Sequence, residues 1–274
     1  MSSYPYPPLI PGDPREVADR VAEALAAAWQ ELEDSRLSVL ARILAGGGHW
    51  RLAHVLATIE EYKQAITEFS ARVDEEAQAF VSRQLPYLYE QGAERVQLPD
   101  GGPFTWTKAH SDALQSLAAD SYGDFLRRSQ EAQRMAEVWY RIARQAARET
   151  VPRTATGGTT ALQAAKKLAD RLGGRGLNYV IYRNGARVPV RAWAESATLA
   201  KSAVAYNSGT LNRAVEAGVR FMQVFDGSGC GWTSHDDPDK ANGTVRTVEE
   251  AAEQPIAHPR CLRAFGPRPD LGDL

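Results

Sequence analysis

Apolar residues recur at helical spacing through most of the first 150 residues, and this feature constrains the fold more than any other. Three such runs extend over about residues 14–44, 50–90 and 107–147. A spacing of three and four residues puts the apolar side chains on one face of a helix. Long amphipathic helices pack as an antiparallel bundle or form an extended stalk. We therefore predict a mainly α-helical N-terminal region, in which Pro86 kinks or shortens the second helix.

A proline-rich arm, residues 1–14, precedes the first helix. Its Tyr-Pro-Tyr-Pro-Pro segment favours an extended, polyproline-like path. Asp13 and Pro14 supply a helix cap and a first helical residue. We expect the arm to be disordered in isolation or ordered against a partner, and four apolar side chains are candidates for anchoring it: Tyr4, Tyr6, Leu9 and Ile10.

The composition changes near residue 150, where Thr, Gly and Pro become frequent. Exposed segments of this kind mark domain boundaries. Beyond it we predict a short helix, a hairpin at Asn184-Gly185, a helix over residues 191–217 and a strand over 219–225, because Asn-Gly between apolar β-formers is a strong hairpin signal. The predicted organisation is a helical domain, 15–150, and a small α+β domain, 151–274.

The net charge of −2 is unevenly distributed. Residues 127–201 carry 15 basic and 5 acidic side chains, whereas residues 1–126 carry 10 basic and 19 acidic ones. Arg127, Arg134, Arg141 and Arg148 recur every seven residues and therefore lie on one side of the third helix. We interpret them either as a solvated face or as a binding surface for an acidic protein or a polyanion such as DNA. No run of about 18 apolar residues occurs, so we expect no membrane-spanning helix.

Both cysteines of the chain lie near its end, each close to a histidine: Cys230-x4-His235 and His258-x2-Cys261. Four thiolate and imidazole ligands in two close pairs suit tetrahedral zinc. We predict that Cys230, His235, His258 and Cys261 hold a structural zinc ion. Two alternatives remain: ordinary buried thiols with surface histidines, or a disulfide formed under oxidising conditions.

Whether the chain is an enzyme is left open at this stage. A four-ligand zinc site is closed to substrate. The phosphate-binding loop, the H-E-x-x-H motif and the G-x-S-x-G motif do not occur. An acidic loop with Asp236, Asp237, Asp239 and the nearby Asn242 allows a metal-dependent nuclease as an alternative. His110, which begins the third helix, is interpreted as a cap or surface residue.

An ordered series in the C-terminal region resembles the minor head proteins of tailed phages, the Mu F-like head-morphogenesis family. The resemblance covers about residues 175–265. Thr233 occupies the position of a family cysteine, and we take His235 as the replacement ligand. The residues that carry the resemblance are Tyr179 to Pro189, Trp193-Ala194-Glu195, Phe225-Asp226-Gly227, Cys230 and His258-Pro259-Arg260-Cys261.

The resemblance implies a minor capsid protein that acts at or near the portal during head assembly. It implies a virion component made in the host cytoplasm and located in the capsid interior or near the portal. The partners it implies are the portal protein and the major capsid or scaffold protein, with packaged DNA as a further candidate. Some relatives are labelled maturation proteases, so a head protease using the C-terminal Cys/His/Asp cluster is the second alternative to a non-catalytic role.

Overall fold

The structure, a computed structural model, describes residues 14–45, 51–99, 101–155, 160–173, 176–226, 241–261 and 263–271. The proline-rich arm up to residue 13 lies outside these ranges, as do Cys230 and His235. Helices account for 73% of the described residues, which confirms the mainly α prediction.

Seven α-helices follow one another along the described part of the chain. α1 and α4 exceed thirty residues, so the predicted long helices are confirmed. The bounds are α1 Pro14–Ala45, α2 Leu52–Ala79, α3 Leu85–Ala93, α4 Lys108–Ala155, α5 Ala161–Gly173, α6 Val190–Glu216 and α7 Val248–Glu253.

Pro86 marks the place where the second helical run changes geometry. A single wide turn, Phe80–Gln84, separates α2 from α3, and the amide of Leu85 donates to the carbonyl of Phe80, five residues earlier. Pro86 occupies the first turn of α3. Proline lacks an amide hydrogen, so the start of a helix accommodates it at little cost.

Five short strands form two small sheets: β1 Tyr179–Ile181, β2 Arg187–Pro189, β3 Phe221–Phe225, β4 Val245–Thr247 and β5 Ala264–Pro267. β1 and β2 form the predicted antiparallel hairpin. Its turn has Gly185 at a φ of +81°, and no described residue other than glycine has positive φ. Residues 182–186 join the two strands, so the loop is longer than the two-residue turn that Asn-Gly favours, and glycine alone takes the left-handed conformation in it.

The second sheet has the order β4-β3-β5, with both neighbours antiparallel to β3. We predicted β3 from the sequence but not β4, β5 or α7. Each of these elements has at most six residues. α7 begins with a capping box, in which Thr247 and Glu250 each bond to the other's backbone.

The chain forms two compact units, each assembled from non-consecutive segments. Unit 1 comprises Met1–Glu23, Ala77–Gly123 and Ala194–Leu274, and unit 2 comprises Ala24–Glu76 and Asp124–Trp193. The two units are defined by which residues pack together, whereas the predicted boundary near residue 150 concerns domains that fold independently. The boundary therefore stays a prediction.

In unit 1 the three-stranded sheet packs its buried face into an apolar cluster. Met222 and Val224 of β3 join Phe265 of β5 and Leu211 and Ala214 of α6 in this cluster. α3 and α6 also meet in this unit at two glycines, Gly92 and Gly209. Any side chain at either glycine would overlap the backbone of the other helix.

In unit 2 a buried ion pair links three separate segments. Arg36 of α1 pairs with Glu33 at 2.6 Å, and both side chains are under one-tenth exposed. Arg36 also donates to the carbonyl of Leu172 at the end of α5, and Glu33 accepts the amide of Leu177 ahead of the hairpin. Charge-assisted bonds of this kind are strong when buried and fully satisfied.

Candidate functional site

The three-stranded sheet ends beside the segments that precede and follow the predicted Cys/His cluster in the sequence. Phe225 of β3 pairs with Ala264 of β5, and Gln223 pairs with Val245 of β4. Because both pairings are antiparallel, the chain leaves β3 at the same end where it enters β4 and β5. Asp226 follows β3 directly, and Arg263 precedes β5 directly.

Asp226 and Arg263 form a buried ion pair at this sheet end. The Arg263 Nε and Nη2 atoms donate to the two carboxylate oxygens of Asp226 at 2.6 and 3.1 Å. The two side chains are 4% and 2% exposed. Nη1 of Arg263 donates to the carbonyl of Gln254. This bidentate ion pair fixes the position at which the chain leaves β3 relative to the position at which it enters β5.

Asparagines hold the adjoining segments. The amide of Asn207, on α6, donates to the carbonyls of Pro255 and Arg263 at 2.7 and 2.8 Å. The side-chain oxygen of Asn242 accepts the backbone amide of Asp226 at 3.0 Å. Asn242, the candidate asparagine of the nuclease alternative, therefore uses its oxygen to position the backbone beside β3.

His258 and Cys261 lie in one tight turn, where the Cys261 amide donates to the His258 carbonyl at 2.9 Å. Cys261 is 5% exposed, and His258 is half-buried. Arg260, between them, bonds to Ser196 and Glu195 of α6. One thiol and one imidazole are thus held in the same turn.

The other two predicted ligands, Cys230 and His235, lie outside the described residues, and within those residues no group of three or more His, Cys, Asp or Glu side chains could hold a metal. In the sequence, Cys230 follows Asp226 by four residues, and Cys261 precedes Arg263 by two.

The four arginines predicted to share one side of the third helix do so. Arg127, Arg134, Arg141 and Arg148 are all exposed along α4. Arg127 lies 3.7 Å from Asp124. Within the described part of the chain the other three have no acidic partner, whereas Arg144 of the same helix pairs with Glu60. We call these four side chains the arginine face.

His110 is buried, contrary to the interpretation as a cap or surface residue. It is 2% exposed, and its ring bonds to the Tyr89 hydroxyl at 2.9 Å and to Glu216 at 3.2 Å. Asn212 donates to the same hydroxyl, so two side chains hold the Tyr89 oxygen in place. Its neighbours come from α3 and α6, which are distant in the sequence. The spacing of residues around His110 could therefore not predict that it is buried.

The surroundings of Tyr89, His110 and Glu216, which form one hydrogen-bonded network, shift the pKa values of Tyr89 and Glu216. Burial raises the pKa of Tyr89 to about 12, which keeps the hydroxyl neutral. Burial also acts to raise the pKa of Glu216, but hydrogen bonds from Arg213 and His110 outweigh it and hold that pKa below the ordinary range. Tyr89 is fully buried, so its hydroxyl is out of reach of a substrate and the network stabilises the junction of three helices.

None of the helices in the described part of the chain has the length and apolarity needed to cross a bilayer. No curated protein and no solved structure matches the chain. A profile of the family described as phage minor capsid protein 2 matches residues 19–229, which is more than three-quarters of the sequence. The match ends before Cys230, so it rests mainly on the helical region. The prediction of a phage minor capsid protein is confirmed, and the chain belongs to the phage minor capsid protein 2 family, whose place is in the virion.

Proposed function

We propose that this minor capsid protein acts at or near the portal during head morphogenesis, as a non-catalytic assembly component. The observation that carries the proposal is the arginine face. Three exposed arginines lie along one helix with no acidic partner among the described residues. A row of arginines that form no ion pair favours and orients the approach of an acidic surface.

A protein surface fits this face better than a continuous polyanion does. Glu137 is also exposed and lies between Arg134 and Arg141 on the same side of α4. A carboxylate among the arginines opposes a row of phosphates, but it can pair with a basic residue of a folded partner. We therefore propose the portal protein as the main partner, with the major capsid or scaffold protein and packaged DNA as further candidates.

The test is co-elution with the portal protein of the same phage. The two proteins are co-expressed and applied to size exclusion at low and high salt. We expect a complex with the native chain and its loss when Arg134, Arg141 and Arg148 are each changed to Glu. The matched control changes Lys63, Lys166 and Lys167 to Glu, which alters the net charge equally on other exposed helical surfaces.

The co-elution experiment has three outcomes with different meanings. Co-elution of the control but not of the arginine variant supports a portal contact through the arginine face. Co-elution of both variants would show that the face is not the contact. Separate elution of the native chain from the portal protein at both salt concentrations would contradict the portal role itself.

We further propose that Cys230, His235, His258 and Cys261 hold a structural zinc ion at the end of the sheet. Zinc supplies a cross-link between segments that have few apolar side chains of their own. The buried ion pair of Asp226 and Arg263 supports this proposal, because Asp226 lies four residues before Cys230 in the sequence and Arg263 lies two residues after Cys261.

Metal analysis of protein prepared without chelator tests the zinc proposal. We expect one zinc per chain, lost in Cys261→Ser and in His258→Ala. His54 is an exposed histidine on α2, so His54→Ala is the matched control and keeps the metal. A native chain that contains no zinc would contradict the proposal.

Two contacts support a non-catalytic role over a nuclease or a head maturation protease. Asp226 is buried in its ion pair, and the Asn242 oxygen is engaged by a backbone amide. Asn242, the asparagine of the nuclease alternative, therefore serves the fold, whereas Asp236, Asp237 and Asp239 lie outside the described residues. Cleavage of DNA or of a capsid protein by the purified chain, abolished by Asp236→Ala and Asp237→Ala, would instead establish the enzyme.

A further inference from the structure

Unit 2 contains a groove that neither the arginine face nor the predicted zinc site explains. The groove has a volume of about 580 Å³, and its lining comes from α1, from α4 and from the segment that runs from Gly176 through β1. We call it the β1 groove. Most of the lining is apolar and includes Trp29, Met135, Val138 and Leu177.

The β1 groove lies along one edge of its strand. Tyr179, Val180 and Ile181 are consecutive in β1, and all three line the groove. Consecutive side chains of a strand point to opposite faces, so a cavity lined by all three residues lies beside the strand rather than over one face. Within the described part of the chain β1 pairs with β2 alone. Arg128 of α4 also lines the groove and donates to the Ile181 carbonyl at 3.4 Å, so the edge beside the groove faces α4.

The hydrogen-bond register of the hairpin leaves backbone groups of β1 directed towards this edge. The Tyr182 amide donates to the Ala186 carbonyl across the hairpin. Bonded positions alternate along an antiparallel pair, so Val180 also bonds to β2, whereas Tyr179 and Ile181 turn their amides and carbonyls away from it. The amides of Tyr179 and Ile181 have no hydrogen-bond acceptor among the described residues. The edge of β1 therefore offers free backbone donors to the groove.

The charges around the groove are mainly positive. Glu131 is the one acidic side chain among the described residues of the lining, and it pairs with Arg128 at 2.8 Å. Arg134 also lines the groove, and Arg187 of β2 lies 4.7 Å from the centre of the Tyr179 ring. The Arg134 and Arg187 side chains are exposed, and neither has an acidic partner in the described part of the chain. This excess of positive charge favours an acidic ligand.

We propose that the β1 groove binds an extended segment of a partner protein, which adds to β1 as a further strand. In this mode of recognition main-chain hydrogen bonds hold the peptide, and alternate side chains of the peptide enter the groove. The segment alternates apolar and polar residues, so that its apolar side chains contact Met135 and Val138, and it carries Asp or Glu beside Arg134. The inference rests on the proposed function, because it takes the segment from the portal protein.

The lining favours an extended peptide over a helix or a nucleic acid. A helix bonds its amides and carbonyls internally, so it would leave the edge of β1 unpaired. A nucleic acid matches the arginines, but it would bring phosphates against Met135 and Val138, where a charged group loses its hydration. Only an extended peptide matches the free backbone groups, the apolar lining and the arginines together.

Fluorescence anisotropy with the full-length chain tests the proposal. Short overlapping peptides that cover the portal protein of the same phage are labelled with fluorescein and titrated with the chain. We expect an acidic peptide with alternating apolar residues to bind, and its affinity to fall about tenfold in Val138→Glu, which places a charge on the apolar lining. Gln130→Glu is the matched control, because it adds the same charge at an exposed position of α4 outside the lining. Equal affinities in both variants, or no peptide that binds, would overturn the proposal.

N-methylation of the bound peptide tests the main-chain bonds without any change in the chain. A methyl group on a peptide amide removes its hydrogen-bond donor, and only every second amide of an added strand bonds to β1. We expect methylation of one alternate set of amides to abolish binding and methylation of the other set to leave most of it. Equal losses from both sets would overturn strand addition.

Amide exchange measured by NMR gives the corresponding readout on the chain. We expect the amides of Tyr179 and Ile181 to exchange about tenfold more slowly when the peptide is bound, because each gains an acceptor. The Val180 amide faces Val188 within the hairpin and serves as the internal control, with little change expected. Unchanged exchange at residues 179 and 181 would overturn the proposal.

Failure of this inference and failure of the proposed function give different results. If the portal protein co-elutes with the chain but none of its peptides binds, strand addition is overturned and the portal role stands. If the portal protein elutes separately while a peptide binds with the expected pattern of N-methylation, the portal role fails and the assignment of the β1 groove is supported.

Discussion

The crossing of α3 and α6 allows a sharp test of the packing in unit 1, the change of Gly209 to alanine. A methyl group at this position would lie 2.0 Å from the carbonyl oxygen of Tyr89 and 3.1 Å from the amide nitrogen of Ala93. A close C–H···O contact is about 3.3 Å. The helices must therefore separate by about 1 Å, because both obstacles are backbone atoms that no side-chain rotation can move.

The expected change in the free energy of unfolding combines two destabilising contributions and one stabilising contribution. Overpacking of a filled interface costs about 1–3 kcal/mol. Separation also breaks the bond from the Thr210 hydroxyl to the Gly92 carbonyl, 2.9 Å long, which is worth about 1 kcal/mol. The higher helix propensity of alanine offsets about 1 kcal/mol. We expect Gly209→Ala to lower the free energy of unfolding by about 2 kcal/mol.

Urea unfolding of the full chain, followed by far-UV circular dichroism, measures this change. Gly123 of α4 provides the matched control, because a methyl group there would have no atom within 4 Å. We expect Gly123→Ala to raise the free energy of unfolding by about 0.5–1 kcal/mol. If Gly209→Ala stabilised the chain as Gly123→Ala does, the close approach of the two helices would be refuted.

Three further predictions concern the polar side chains of hydrogen-bonded networks and one buried tyrosine without a partner in the described part of the chain. Arg263→Met leaves Asp226 buried and unpaired, so we expect a loss of about 3–5 kcal/mol in the free energy of unfolding, measured by urea titration. Tyr89→Phe removes a bonded hydroxyl and is expected to cost about 1–3 kcal/mol by the same assay, whereas Tyr62→Phe removes a buried hydroxyl that has no partner among the described residues and is expected to be nearly neutral. Because the pKa of Glu216 lies below its ordinary value of 4.5 in the folded chain, the stability it contributes is present above that value and is lost as the pH falls through the folded pKa. The difference in thermal midpoint between the native chain and Glu216→Gln is therefore expected to be largest at neutral pH and to disappear in acid; a difference independent of pH would contradict the assigned ionisation.

The helical architecture could be predicted from the sequence because its signals are local. Apolar spacing indicated α1, α2 and α4, and Asn184-Gly185 indicated the hairpin. The spacing of the arginines predicted their shared side of α4 for the same reason, since positions seven residues apart in a helix nearly superimpose. Each of these signals acts within one or two turns of chain.

The short elements of the C-terminal region were missed because their signals are not local. β4 has three residues and β5 has four, too few for an alternating pattern to be recognised. Both strands are defined by pairing with β3. The role of Asp226 was missed for the same reason, since its partner Arg263 is 37 residues away.

The sequence by itself determined the long helices, the hairpin, the arginine spacing and the residues that resemble a phage minor head protein. Only the tertiary structure decided which residues became partners: His110 with Tyr89 and Glu216, Asp226 with Arg263, and the two helix glycines with the opposing backbone. The physical reason is the range of each interaction. Backbone hydrogen bonding and apolar periodicity act between residues a few positions apart, whereas buried polar groups must find partners anywhere in the folded chain, because leaving them unpaired away from water is costly.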